Sequence, residues 1–331
     1  MKEINKILAA INQKYGAGTV SVGSSIPQQI KRIKSGIVAL DLVIGGGIPV
    51  GSIIEFYGRE SGGKSSTALK IVGEYQRQGL QCAYIDMEHA FDPVWATTLG
   101  VDMTKLTIAQ PDTLEKASDI VETLTKSGEF DLIVYDSLAA SVPNEEVEKS
   151  AFEQQMALQA RLFSKMCRKL LSALQPSNQE DMKTYNNTVI IFINQVREKV
   201  GQLYARGYEV PGGHAIKHSS KMIIEFKAKD HLENEETKDT EGIEIIFTTK
   251  KNKTWIPYKV GMFKLYFNGT VDNDETIIVE AKKRGIIKQS GPMYEFKDIK
   301  EKGMESFVTS LKEKKMFDNV LEETYKVILK G

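Results

Sequence analysis

The chain has no excess charge of either sign: 44 Lys and Arg stand against 44 Asp and Glu among 331 residues. A protein that coats nucleic acid indiscriminately needs a strongly basic balance, so that class is excluded. Any DNA contact must come from local loops or from a surface assembled by several subunits. Cysteine is scarce. Cys82 and Cys167 each sit in apolar surroundings, which reads as two buried small side chains in a reducing compartment. The four histidines show no ligand spacing. No stretch approaches the ~20 apolar residues of a membrane span, and Met1–Asn5 lack the apolar core of a secretory leader. These absences suit a cytoplasmic protein, and 331 residues allow one large α/β domain plus one or two small appendages.

What the chain does carry is Gly58-Arg59-Glu60-Ser61-Gly62-Gly63-Lys64-Ser65. This is the Gly-x-x-x-x-Gly-Lys-[Ser/Thr] pattern of a phosphate-binding loop. The β-prone run Ile53–Tyr57 precedes it and a helix-compatible run, Thr67 to Gln78, follows. Loop N–H groups and a helix N-terminus make an anion site. Lys64 would reach the β- and γ-phosphates of a nucleotide, and Ser65 would hold Mg²⁺. Gly63 is expected to spare the phosphate a crowding Cβ. The competing reading is a Gly-rich turn that merely caps a helix.

Strands and helices then alternate: strand 81–86, helix 114–127, strand 131–135, helix 151–174 and strand 188–193. This implies a mostly parallel sheet covered on both faces. Further strands are expected at 222–226, 243–249 and 261–267. Residues 17–52 read as Gly- and Ser-rich chain with a sharp turn region at 41–51. An amphipathic N-terminal helix carries Ile4, Ile7, Leu8, Ile11 and Tyr15 on one face, with Gly16 as its stop. It either folds back on its own domain or docks on a neighbour. Residues 142–153 and 197–213 read as loops, 175–187 as exposed polar chain. Helical patterns near 280–288 and 300–330 suggest a small C-terminal domain.

Functional groups in open α/β sheets gather at the carboxyl ends of strands. Asp136 ends one apolar strand, where an acid holds Mg²⁺ or, alternatively, caps a helix. Glu88 follows another and could polarise an attacking water, with Asp86 a local competitor. Gln195 ends a third, just before a loop rich in Arg, Tyr and Gly. It could sense a γ-phosphate, or be an ordinary polar strand end.

Taken together the chain resembles the RecA-family recombinases. The resemblance rests on the phosphate loop, on Tyr84-Ile85-Asp86-Met87-Glu88-His89-Ala90-Phe91-Asp92-Pro93, on Ile133-Val134-Tyr135-Asp136-Ser137-Leu138, on Ile191-Phe192-Ile193-Asn194-Gln195-Val196-Arg197, on Gly212-Gly213-His214-Ala215 and on Lys250-Lys251-Asn252-Lys253. It runs in family order over about residues 30 to 265. It implies a P-loop NTPase core of RecA type over 26–268, a filament arm over 1–25 and a small α+β C-terminal domain over 269–331.

The resemblance also implies roles. Glu88 is the catalytic glutamate and Gln195 the γ-phosphate sensor. ATP lies on residues 58–66, Ser66 included, with Asp92 and Trp95 at the adenine; Mg²⁺ lies at Ser65 and Asp136. Lys251 and Lys253 reach a neighbour's ATP. Loops 142–155 and 197–213 bind DNA, through Met156, Arg161, Ser164 and Arg168 on the helix after the first and Arg197, Lys199, Tyr204, Arg206, Gly212 and Gly213 in the second. The implied activity is single-stranded-DNA-dependent ATP hydrolysis by an open helical filament, which pairs single-stranded with homologous duplex DNA in recombination and repair. A closed-ring helicase on the same core, or an ATP-switched assembly module, are the rival readings. Arg59 departs from the proline common at its position, and 175–187 looks longer than usual.

Overall fold

The computed structural model describes residues 2–16, 19–23, 30–144, 152–175, 186–198, 208–209 and 213–330. At its centre lies an eight-stranded sheet. Its strands are β1 (Ser52–Gly58), β2 (Cys82–Asp86), β3 (Leu106–Ala109), β4 (Leu132–Asp136), β5 (Val189–Gln195), β6 (Met222–Glu233), β7 (Thr240–Asn252) and β8 (Val260–Tyr266). The spatial order is β8-β7-β6-β1-β5-β4-β2-β3. Every pairing from β6 across to β3 is parallel, and β7 and β8 close the other edge antiparallel.

The inner strands are continuous apolar runs because helices cover both faces. Alternation along β1 splits its side chains between two cores. Ile54 and Phe56 join Ile71, Val72 and Tyr75 of the helix Lys64–Arg77. Ile53 joins Leu114 and Val121 of the helix Leu114–Ser127, and Phe163, Met166 and Leu170 of the helix Phe152–Ala173. The carboxyl ends of β1, β5, β4 and β2 share one edge. There Gly58 is level with Gln195 and Asp86 with Asp136. Among the described residues no helix is long and apolar enough to cross a membrane.

Several elements differ from expectation. The helix after the loop starts at Lys64, not Thr67. β6 and β7 extend well past their apolar stretches into a long hairpin, whose outer residues 227–233 are mostly exposed and so lack a strand-like pattern. Within 17–52, Val38–Ile44 is a helix ended by Gly45 at φ 99°. The expected helix at 300–330 is broken. A strand, Ile299–Lys302, gives way at Gly303 (φ 87°) to the helix Met304–Glu313, and left-handed Lys315 (φ 56°) separates that from Phe317–Lys330. With the helix Asn273–Lys283 and a three-stranded sheet, these elements enclose their own core of Ile278, Phe296, Phe307, Leu311 and Val320.

The N-terminal helix spans Lys2–Tyr15. Gly16 (φ 105°) ends it, donating its N–H to Asn12 O at 2.9 Å. Of its stripe, Ile4, Ile7 and Tyr15 are 59%, 58% and 55% exposed, and Leu8 and Ile11 are half-buried.

Candidate functional site

β1 runs into its loop at Gly58, whose φ of 156° and close neighbour exclude a side chain: a Cβ would lie 2.1 Å from Phe226 O on β6. Gly63, at φ 82°, is the N-cap of the following helix. A Cβ would meet Ile245 Cδ1 of β7 at 2.4 Å, and the positive φ itself strains any residue that has a side chain. The first N–H groups of a helix have no intrahelical acceptor, and this helix opens at the loop. Lys64 is 5% exposed, and its Nζ donates to Arg59 O at 2.6 Å across the loop. Burial pushes its pKa down, while Asp136, Glu88 and Glu60 pull it back up.

Asp136 ends β4 beside this loop. Its carboxylate accepts from the Ser65 hydroxyl and from Tyr84 Oη at 2.6 Å. Burial raises its pKa, and those two hydrogen bonds and Lys64 lower it. Among the described residues no group of three or more His, Cys, Asp or Glu gathers around a point. A site with one carboxylate and one hydroxyl suits Mg²⁺, which keeps waters and takes phosphate oxygens as further ligands.

Asp86 and Glu88 stand in different surroundings. Asp86 is 2% exposed, and its oxygens accept from the N–H groups of Glu88 (3.1 Å), Ala90 (3.4 Å) and Phe91 (3.1 Å) and from Gln110 Nε2 (2.9 Å). It is consumed in shaping the turn, in which His89 takes φ 52°. Glu88 is exposed on that turn. Its Oε1 accepts from Ser137 Oγ at 2.6 Å and from Gln195 Nε2 at 2.9 Å. The carboxyl-terminal edges of β2, β4 and β5 thus meet in one cluster. Sequence reasoning gave Ser137 and Tyr84 no role. Ser137 follows the acid directly, a usable signal, but a tyrosine inside an apolar strand reads as core.

Asp92 caps the helix Pro93–Thr98, accepting from Val94 N at 2.8 Å and Trp95 N at 3.1 Å. Trp95 Nε1 donates to Ser66 Oγ at 3.3 Å, and its indole meets the Phe267 ring edge-on at 6.3 Å. An aromatic surface therefore stands beside the phosphate loop.

Lys251 and Lys253 lie elsewhere. Lys251 is level with Ile223 on β6 and, through it, with Glu55 at the middle of β1, three residues before Gly58. Its Nζ donates to Lys217 O at 2.5 Å and His218 O at 3.3 Å, capping the last turn of the helix Gly213–Ser219. Burial and nearby Lys253 and Lys217 lower its pKa, and Glu55 raises it. These lysines are not gathered with this chain's own phosphate loop.

Of the first loop, 142–144 are described, 145–151 lie outside the described residues, and 152–155 belong to the helix Phe152–Ala173, so the loop ends earlier than expected. Asn144 N donates to Glu115 Oε2 at 3.1 Å, and Gln159 Nε2 to Ser141 O at 2.7 Å. Met156 lies on the helix Phe152–Ala173, its side chain outside the described residues. Arg161, Ser164 and Arg168 share the face opposite buried Phe163, Met166 and Leu170; both arginines are exposed, and Arg168 Nη1 donates to Ser164 Oγ at 3.1 Å. The second loop is closed at its base by a ladder pairing Arg197 with Glu209 and Glu198 with Tyr208. Lys199, Tyr204, Arg206 and Gly212 lie outside the described residues, and Gly213 opens the helix that Lys251 caps. Residues 176–185 also lie outside them; Asn186 anchors the return, donating to Thr125 O at 2.5 Å and Ala173 O at 3.1 Å.

Residues 2–272 match the family described as the RecA N-terminal domain. "Protein RecA" of Thermus thermophilus is 37% identical over 336 residues, covering 99% of this chain and 96% of that protein. "Protein RecA" of Fusobacterium nucleatum is 39% identical over 299 residues, covering 90% and 76%, and that of Halalkalibacterium halodurans 38% over 297, covering 89% and 82%. The chain belongs to the RecA family, whose recombinases serve recombination and DNA repair. The ring-helicase and assembly-module readings are not favoured.

Proposed function

We propose that this chain binds Mg²⁺-ATP between adjacent protomers, forms an open helical filament on single-stranded DNA and pairs that strand with homologous duplex. The observation that carries the proposal is the shared oxygen of Glu88, held by Ser137 and Gln195, with Gln195 two residues from the second loop.

The loop 58–66 would wrap the phosphates, with Lys64 as counter-charge. Ser65 and Asp136 would hold Mg²⁺, which when bound neutralises charge on the phosphate oxygens. Trp95 would supply a face for adenine, and Asp92 sets the direction of the turn that carries it. Glu88, acidic and exposed, would orient a water for in-line attack and take its proton. A terminal phosphate oxygen competes for the Gln195 amide, so nucleotide would release Glu88 and reset the strand end that leads into the DNA loop.

Lys251 and Lys253 would complete a neighbour's site, because they sit away from their own, which makes hydrolysis depend on assembly. The exposed stripe of the N-terminal helix suits a head-to-tail contact that does not close. Arg161 and Arg168, with the two loops, would supply phosphate contacts, and base pairing would supply sequence recognition. Affinity for DNA should then fall steeply with salt.

The testing experiment measures ATP hydrolysis with and without single-stranded DNA and images the same samples by electron microscopy. Strong stimulation with open helices, both lost in Lys64→Ala, is expected. Closed rings, or filaments whose hydrolysis ignores DNA, would overturn the proposal.

A further inference from the structure

Tyr84 sits in the middle of β2, buried on a strand whose neighbours are apolar. A phenylalanine would fill the same space, so the hydroxyl needs its own explanation. Taking a hydroxyl out of water is costly unless it finds a partner. Its partner is specific: Tyr84 Oη donates to Asp136 Oδ2 at 2.6 Å. Tyr84 is level with Val134 and Asp86 with Asp136, so the phenol reaches diagonally along the paired strands to the end of β4. Phe91, on the turn after β2, meets the ring edge-on at 5.1 Å and fixes its direction. Asp136 also accepts from Ser65, so the phenol and the loop hydroxyl grip one carboxylate.

We propose that Tyr84 is a positioning residue for the divalent cation: by engaging Oδ2 it fixes the plane of the Asp136 carboxylate toward Ser65. The proposal rests on the reading of Asp136 as the cation-holding acid. The phenol's hydrogen bond goes to Asp136, so its proposed effect runs through the orientation of that group. Partners of this kind are worth about 10- to 100-fold in metal affinity.

The test titrates Mg²⁺ against the full chain with a fluorescent, non-hydrolysed ATP analogue, for the unmodified protein, Tyr84→Phe, Asp136→Asn and the double variant. Thermal melting checks that each is folded; Tyr84→Phe removes one oxygen and keeps the ring. We expect Tyr84→Phe to raise the Mg²⁺ midpoint about tenfold, to leave analogue binding in EDTA unchanged, and to add nothing in the Asp136→Asn background. If Asp136→Asn shifts the midpoint and Tyr84→Phe does not, the positioning role is overturned and the reading of Asp136 stands. If Asp136→Asn itself causes no shift, that reading falls and the role of Tyr84 with it. A Tyr84→Phe loss of equal size with and without Mg²⁺ would mark the phenol as a packing residue and overturn the proposal.

Discussion

Gln195 and Glu88, 107 residues apart in sequence, are joined by one hydrogen bond: Gln195 Nε2 donates to Glu88 Oε1 at 2.9 Å. Ser137 Oγ donates to the same oxygen at 2.6 Å. The side chain proposed to direct water is thus held by the side chain proposed to report phosphate. β1 and β5 set this up, since their register places Gln195 beside Gly58 at the start of the phosphate loop.

Replacing Gln195 by Ala should break the report while leaving the phosphate cradle intact. We expect ATP affinity to stay within several-fold and single-stranded-DNA affinity to lose its dependence on nucleotide. Fluorescence anisotropy of labelled DNA, with ATP, ADP or neither, reads this out. DNA binding that still responds to ATP in the variant would remove Gln195 from the coupling.

Glu88→Gln keeps an acceptor for Ser137 and Gln195 but cannot take a proton. Loss of a positioned base typically costs 10²- to 10⁴-fold, so single-turnover hydrolysis should fall by about that factor while nucleotide and DNA binding persist. Filaments of this variant should dissociate slowly from DNA. Rapid turnover would transfer the base role to another group.

The strand-loop-helix unit at 52–77 was legible in the sequence because its glycines, lysine and flanking apolar run are all locally constrained. β2, β4 and β5 were legible to within a residue or two as unbroken apolar runs. The ranking of Asp86 and Glu88 was not legible from spacing. What separates their surroundings is a turn folding the N–H groups of 88, 90 and 91 back onto Asp86, a contact that spacing does not reveal. The outer half of the β6–β7 hairpin escaped notice because exposed strand lacks apolar alternation. Tyr84 escaped because a buried tyrosine and a buried phenylalanine read alike until the hydroxyl's partner is seen.

Lys251 caps its own chain's helix at Lys217 and His218, and its proposed action is on a neighbour's ATP. Lys251→Ala and Glu88→Gln should each be nearly inactive alone. Mixed in equal amounts, a head-to-tail filament would contain about a quarter of interfaces with both residues intact. We expect a comparable fraction of the DNA-stimulated rate to return on mixing. No recovery, with both variants shown to co-assemble, would place Lys251 outside the neighbour's site.

Asp41 offers a pH test at the junction with the C-terminal elements. Its Oδ1 accepts from Ser35 N at 3.0 Å and its Oδ2 from Tyr325 Oη at 3.4 Å, and Lys34 Nζ stands 3.4 Å from the centre of the Tyr325 ring. Burial pushes its pKa from 3.8 up to about 6, partly opposed by the Ser35 hydrogen bonds, Lys34 and Tyr325. The folded chain therefore binds this proton more tightly than the unfolded chain between those two values. Its contribution makes stability fall as pH rises through that window, by roughly 3 kcal/mol at most. The penalty is complete above the folded value and absent below the unfolded one. Asp41→Asn removes the titration and keeps an acceptor for Ser35. The melting temperature of the variant minus that of the unmodified protein should thus grow from pH 4 to pH 7. A difference that is flat or shrinks over that range would show that Asp41 is ionised in the folded chain without penalty, and that Lys34 and Tyr325 fully offset its burial.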